Sequence, residues 1–153
     1  MRLSKASATA AAPDWPEHSP ETRLQALYLG TRVLLAEDEP VSREVAVGLL
    51  EQAGLAVDVA DNGQQALDLA RQNRYALILM DVQMPKLNGI DASRAILANS
   101  LNRTTPILAM TANVFDDDRQ RCREAGMVDH IAKPVDPEQL YATLLGWLEK
   151  RAG

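Results

Sequence analysis

ALILMD, residues 76–81, sets five consecutive apolar residues against one terminal acid. A run this short, with no helical spacing of its apolar residues, reads as a strand buried on both faces. Such strands belong to parallel sheets covered by helices, because parallel neighbours need a crossover connection between them. In open sheets of this kind ligands bind at the carboxyl ends of the strands. Asp81 stands at such an end.

Working outward from this run, the same reading repeats. Upstream, VLLA at 33–36 is a second short apolar run, closed by Glu37 and Asp38, and residues 55–60 form a third, partly alternating one. Between them Val41, Val45, Leu49 and Ala53 recur every four residues, which predicts a helix over 41–53 with these four inward and Gly54 as its stop. Asp61, Asn62 and Gly63 turn the chain into a helix carrying Ala66, Leu67 and Ala70. Downstream, Pro85 and Gly89 mark a loop. A helix over 91–98, a strand over 106–110 ending at Thr111, a helix over 114–125 and a short strand over 129–132 follow. Asp136 caps a last helix, with Pro137 in its first turn and Leu140, Leu144 and Leu148 inward. Strand and helix thus alternate five times. The expected fold is α/β, with a parallel five-stranded sheet. Right-handed crossovers leave few strand orders, of which 2-1-3-4-5 is a common one.

Residues 1–30 differ in composition. Ala, Ser and Thr dominate, and Pro13, Pro16 and Pro20 break any long element. They are expected to be a largely disordered linker or tail ahead of a single domain over 31–150. A short helix can form over 20–29, capped by Ser19, with Leu24, Leu27 and Tyr28 on one face.

The chain of 153 residues suits one domain plus a tail, and 46% apolar with 24% charged residues is a globular composition. A net charge of −5 with dispersed basic residues argues against direct nucleic-acid binding. Arg119, Arg121 and Arg123 sit among Asp116, Asp117, Asp118 and Glu124, a solvated helix face. Cys122 is the sole cysteine, which excludes an internal disulfide and a sulfur-based metal cluster. No apolar run is long enough to span a bilayer, so this segment is expected to make no membrane contact and to be cytoplasmic, even where a parent protein is membrane-anchored. Met80, Met84 and Met110 read as packing near the strand ends, and Cys122 as a core thiol.

In a 2-1-3-4-5 order, Glu37, Asp38, Asp81, Thr111 and Lys133 follow strands that are successive neighbours and converge on one rim. Three carboxylates there face one ammonium, and their mutual repulsion calls for a divalent cation. Hard oxygen ligands point to Mg²⁺, with Asp38 and Asp81 binding directly, a backbone carbonyl near Gln83 assisting, and Glu37 acting through water. A carboxylate can attack phosphorus, and phosphoryl transfer needs charge neutralised on the equatorial oxygens, work suited to Mg²⁺, Lys133 and Thr111. Asp81, at the end of the most buried strand, is the expected nucleophile.

The strings LLAEDEPVSREVAVGLLEQAG, LILMDVQMPKLNGI, PILAMTAN and HIAKPVD closely resemble receiver domains of response regulators, and among them the receivers of hybrid sensor histidine kinases. The resemblance covers about residues 32–149. It implies a flavodoxin-like (βα)5 fold and a phosphorelay role, with Asp81 the phosphoacceptor, Glu37 and Asp38 the acidic metal pair, and Thr111 the switch hydroxyl. Lys133 is then the lysine before a cis Pro134, while Gln83 and Asn113 tune phosphate lifetime. His130 stands where such receivers often carry a rotating Tyr or Phe, and an imidazole there is smaller and titratable. The implied partners are a histidine kinase domain and a histidine-containing phosphotransfer domain, with oligomeric state open. No conventional turnover activity is expected of the domain alone.

Two alternatives remain at this level. One is a stand-alone single-domain response regulator. The other is a phosphohydrolase with an Asp nucleophile, which Gln83 disfavours because it cannot serve as a general acid.

Overall fold

The computed structural model describes residues 19–84, 86–112 and 116–152. Its elements run α1 (Pro20–Leu27), β1 (Arg32–Ala36), α2 (Pro40–Gln52), β2 (Ala56–Ala60), α3 (Gly63–Gln72), β3 (Leu77–Asp81), α4 (Gly89–Ala98), β4 (Ile107–Thr111), α5 (Asp116–Glu124), β5 (Asp129–Ala132) and α6 (Pro137–Ala152). The five strands form one parallel sheet in the order β2-β1-β3-β4-β5.

The apolar runs hide a strict two-residue alternation. Val33 and Leu35, Leu77 and Leu79, and Leu108 and Met110 face one layer, together with Leu50 of α2 and Leu140, Leu144 and Leu148 of α6. Leu34 and Ala36, Ile78 and Met80, and Ile107 and Ala109 face the other, with Leu67 of α3, Ile96 of α4 and Cys122 of α5. Both faces of the three central strands are covered, so no polar residue marks the pleat. β2 lies at the sheet edge, and its Ala56, Val57, Asp58 and Val59 are partly or fully exposed.

Helix faces differ from expectation in two places. In α2, Val41 and Val45 are 66% and 50% exposed, and the inward positions are Ala46, Leu50 and Ala53. Four residues overshoot one helical turn by about 40°, so a row spaced strictly by four winds off the buried face, whereas a step of four followed by three stays on it. In α1, Leu24 is fully buried and Leu27 is 62% exposed. Here Tyr28 packs beside the core and closes the helix by donating its N–H to the Leu24 carbonyl (2.9 Å), and Gly30 at φ 80° turns the chain into β1.

The packed body begins earlier than the boundary drawn at residue 31. Ser19 caps α1 by accepting the Thr22 N–H (3.1 Å), and the helix lies against α6. Residues 1–18 and the start of the helix expected over 114–125 lie outside the described residues.

Candidate functional site

Two strand ends and one backbone clamp bring the site together. Glu37 follows β1, where its N–H donates to the Ala60 carbonyl (3.0 Å), extending the β1–β2 ladder by one residue. Asp81 is the last residue of β3, paired with Met110 of β4. Lys133 follows β5, and its N–H donates to the Thr111 carbonyl at 3.0 Å, tying β5 to the end of β4. The Lys133–Pro134 peptide is cis.

The Lys133 ammonium reaches across the sheet end to two acids. Nζ lies 2.6 Å from Glu37 Oε1 and 3.1 Å from Asp81 Oδ2. The remaining oxygens accept backbone N–H groups, Glu37 Oε2 from Glu39 (3.1 Å) and Asp81 Oδ1 from Gln83 (3.2 Å). Glu37 is fully buried and Asp81 nearly so, while Asp38 is more open. Burial and the neighbouring Glu37 push the Asp81 carboxyl up to about 6, against the opposing pull of Lys133. Burial would raise Glu37 as well, but hydrogen bonds with Asp81, Lys133 and the Glu39 N–H outweigh it and hold Glu37 below the usual carboxylate range. The same two acids raise Lys133 above its ordinary value despite its desolvation. The lysine is therefore a fixed cation at any ordinary pH.

One oxygen from each of Glu37, Asp38 and Asp81 lies within 4.8 Å of the others. Three carboxylates against one ammonium leave an excess of two negative charges when all are ionised. The donor set is all hard oxygen, which fits Mg²⁺. Glu37, Asp38 and Asp81 are the residues whose oxygens could hold such a cation.

Beside Asp81 opens a cleft of about 170 Å³ lined by Asp81, Val82, Gln83, Thr111, Ala112 and Lys133. Five of the residues anticipated from sequence thus stand around one carboxylate: Glu37, Asp38, Gln83, Thr111 and Lys133. His130 is set apart. It lies in a groove with Arg119, Asp129, Ala132 and Asp136, and its Nε2 is buried without a hydrogen-bond partner among the described residues. Burial, then the positive charge of Arg119, lowers its pKa. Asn113 lies outside the described residues.

Three contributors were given no part in the site by the sequence alone. Arg43 of α2 donates to the carbonyls of Glu37 (3.3 Å) and Asp38 (3.5 Å) and pairs with Asp61 (3.3 Å), pinning the acidic loop. Glu39 caps α2 through the Val41 and Ser42 N–H groups. Gly89 opens α4 so close to Asp81 that a Cβ there would collide with the Asp81 carbonyl oxygen. A lone arginine on a helix reads as a surface charge, and a glycine in a loop reads as a turn.

Residues 33–145 match the family model of the response regulator receiver domain. The chain is 37% identical over 117 residues to the signal transduction histidine-protein kinase BarA of Shigella flexneri, which covers 76% of this chain and 13% of that kinase. It superposes with TM-score 0.73 and 39% identity on the receiver domain of the sensor histidine kinase PA1611 from Pseudomonas aeruginosa PAO1, covering 78% of this chain and 98% of that one. That structure has a magnesium ion coordinated in its active site cleft. It also superposes, with TM-score 0.74 and 25% identity over 82% of this chain and 93% of the other, on the Saccharomyces cerevisiae complex of the phosphotransfer protein Ypd1 with the receiver domain of Ssk1. The chain spans about an eighth of the length of the first curated relatives, 13% in each.

Proposed function

The chain belongs to the response regulator receiver domain family, and from that premise we propose that Asp81 is the residue on which it accepts a phosphoryl group from phosphohistidine. The observation that carries this reading is the Lys133 ammonium held between Glu37 and Asp81 at the mouth of a cleft that Thr111 also lines. A carboxylate oxygen of Asp81 attacks phosphorus as the bond from phosphorus to the donor imidazole nitrogen breaks. That nitrogen keeps the electron pair and takes a proton, and the phosphoryl group ends as an acyl phosphate on Asp81. Lys133 neutralises charge on one phosphoryl oxygen, and the Thr111 hydroxyl donates to another.

Asp38 and Asp81 would hold Mg²⁺ directly, with a backbone carbonyl near Gln83 contributing and Glu37 acting through water. When bound, the ion supplies charge neutralisation at the transferring group. Gln83 and Asn113, each two residues past a key position, are assigned to phosphate lifetime, and His130 to the surface that changes after transfer.

The partners we assign are a histidine kinase domain and a histidine-containing phosphotransfer domain, within a cytoplasmic phosphorelay. A receiver inside a kinase chain is the arrangement of relatives such as BarA, and a hybrid kinase is the parent we favour. Val41 and Val45, outward on α2 just past the acidic loop, offer an apolar seat for a donor helix beside the site. Intact-mass measurement after treatment with acetyl phosphate and Mg²⁺ tests the assignment. One added phosphoryl mass on the native chain and none on Asp81→Ala is the expected result. Equal labelling of both would sink it.

A further inference from the structure

A cavity of about 330 Å³ opens between the loops that lead into β3 and β4 and the last turns of α6. Its residues precede the strands, whereas those of the acidic site follow them. Tyr75 stands two residues before β3 and Pro106 one before β4, so the cavity lies a strand length from Asp81 and Thr111, about 16 Å. Its volume falls at the small end of the range for small-ligand pockets, roughly 300–1,000 Å³.

The walls are fixed to one another in advance. Asn102, itself buried, donates to the carbonyls of Ala70 (2.7 Å) and Asn73 (2.8 Å) and accepts the Tyr75 N–H (2.7 Å). The Thr105 hydroxyl donates to the Tyr75 carbonyl (3.1 Å), joining the two loops a second time. On the α6 side, Trp147 donates its indole N–H to Asp129 (2.8 Å), and the Lys150 ammonium lies 4.5 Å from the centre of its ring. The negative face of the indole holds that cation beside the cavity. A pocket shaped beforehand loses little binding energy to ordering.

The charge of this lining is opposite to that of the chain as a whole. The protein has 21 acidic against 16 basic residues, yet Arg74 and Lys150 line the cavity with no carboxylate beside them among the described residues. Acids on adjoining elements are engaged elsewhere. Glu149 pairs with Arg23 (2.6 Å), and Asp58 with Arg32 (2.7 Å) and the Tyr75 hydroxyl (2.7 Å). Arg74 makes no hydrogen bond or ion pair among the described residues, and Lys150 contacts only the indole ring. Thr104 adds an exposed hydroxyl.

Two uncommitted cations and a hydroxyl match a phosphate monoester. A guanidinium bonds two phosphate oxygens at once, and an ammonium supplies a point charge. Leu101, Pro106 and the rings of Tyr75 and Trp147 provide apolar wall for an organic body. We propose that this cavity binds a small organic phosphate monoester, its phosphate held by Arg74, Lys150 and Thr104 and its organic part lying against Tyr75 and Trp147. The proposal does not rest on the assignment of Asp81 as acceptor.

Adenosine 5′-monophosphate, whose flat base suits an aromatic wall, is the probe. It is titrated into the full nitrogen-15-labelled chain in EDTA while amide and indole resonances are followed. Without a divalent ion the acids around Asp81 repel phosphate and do not compete. The expected result is saturable shifts at residues 74–75 and 104–105 and at the Trp147 indole, with a Kd at or below about 1 mM. Arg74→Ala and Lys150→Ala, both at exposed side chains, should each weaken binding by roughly tenfold, and Arg94→Ala on α4, an equal loss of charge, should leave it unchanged. Adenosine should not saturate, and inorganic phosphate should bind more weakly than the nucleotide. Equal weakening by Arg94→Ala, or shifts spread over the surface, would reduce the effect to general charge attraction and overturn the site. Adenosine or inorganic phosphate binding as tightly as the nucleotide overturns the choice of a phosphate monoester. No saturation at about 10 mM nucleotide overturns the proposal outright.

Discussion

Lys133 Nζ stands 2.6 Å from Oε1 of Glu37, a carboxylate with no exposure to solvent. In the proposed assignment, the cation that would stabilise an incoming phosphoryl group is thus held in place beforehand by an acid other than Asp81. A buried charge is tolerated only when it is paired and hydrogen-bonded, and each of the two has the other as its direct counter-ion.

Lys133→Met should therefore destabilise the domain as well as impair phosphoryl acceptance. Removing one partner of a buried ion pair costs about 3–5 kcal/mol. Urea unfolding at pH 7.5 without Mg²⁺ measures it. The loss should shrink at pH 5, where Asp81 can take up a proton and relieve the uncompensated charge. A variant as stable as the native chain at both pH values would contradict the pairing.

Asp81 itself gives the metal-free domain a pH signature. Its folded pKa of about 6 lies above the ordinary 3.8, so the folded state binds this proton more tightly than the unfolded one. The resulting stability is fully present below the ordinary value and is lost as pH rises through about 6. Asp81→Asn removes the cost of burying this charge along with its repulsion by Glu37, and should raise stability at pH 7.5 by on the order of 2 kcal/mol, with little gain at pH 4. Paired urea titrations without Mg²⁺ would show it. A gain of equal size at both pH values would point to some cause other than charge.

Gly89 is predicted to be intolerant of even one methyl group. A Cβ there meets the carbonyl oxygen of Asp81 and the side chain of Met80, both buried in the sheet. Gly89→Ala should cost about 1–3 kcal/mol through forced backbone shifts. It should also slow labelling of Asp81 by acetyl phosphate, because the backbone of Asp81 is what has to move. Unchanged thermal midpoint and labelling rate would refute the close approach.

Ser93 offers a test in the stabilising direction. Its hydroxyl, fully buried on α4, has no hydrogen-bond partner among the described residues. Ser93→Ala removes an unsatisfied polar group at nearly constant volume, and should add about 1 kcal/mol of stability without altering phosphoryl acceptance. The urea midpoint reads the first effect and intact mass the second.

The helix faces show where reading along the chain stops being sufficient. Val41, Val45, Leu49 and Ala53 form an apolar row whose spacing of four looks like a buried stripe, yet its first two members face outward beside the site. Apolar residues left at the surface and apolar residues packed in the core have the same chemistry. Only the position of the neighbouring strands separates them. The acids were legible for the opposite reason: a carboxylate ending a run such as ALILMD has no packing role, so its chemistry stands out.

The alternation of buried runs with helices, the parallel sheet and the placement of Glu37, Asp38, Asp81, Thr111 and Lys133 at strand ends could all be read residue by residue, because each follows from local periodicity and from where an apolar run meets a polar residue. Arg43 gripping the acidic loop, Gly89 against the Asp81 carbonyl, Lys133 resting on Glu37 and α1 lying against α6 emerged only once the chain was packed. Each joins groups brought together by the sheet and its crossovers, and a contact of that kind leaves no periodic trace in the order of the residues.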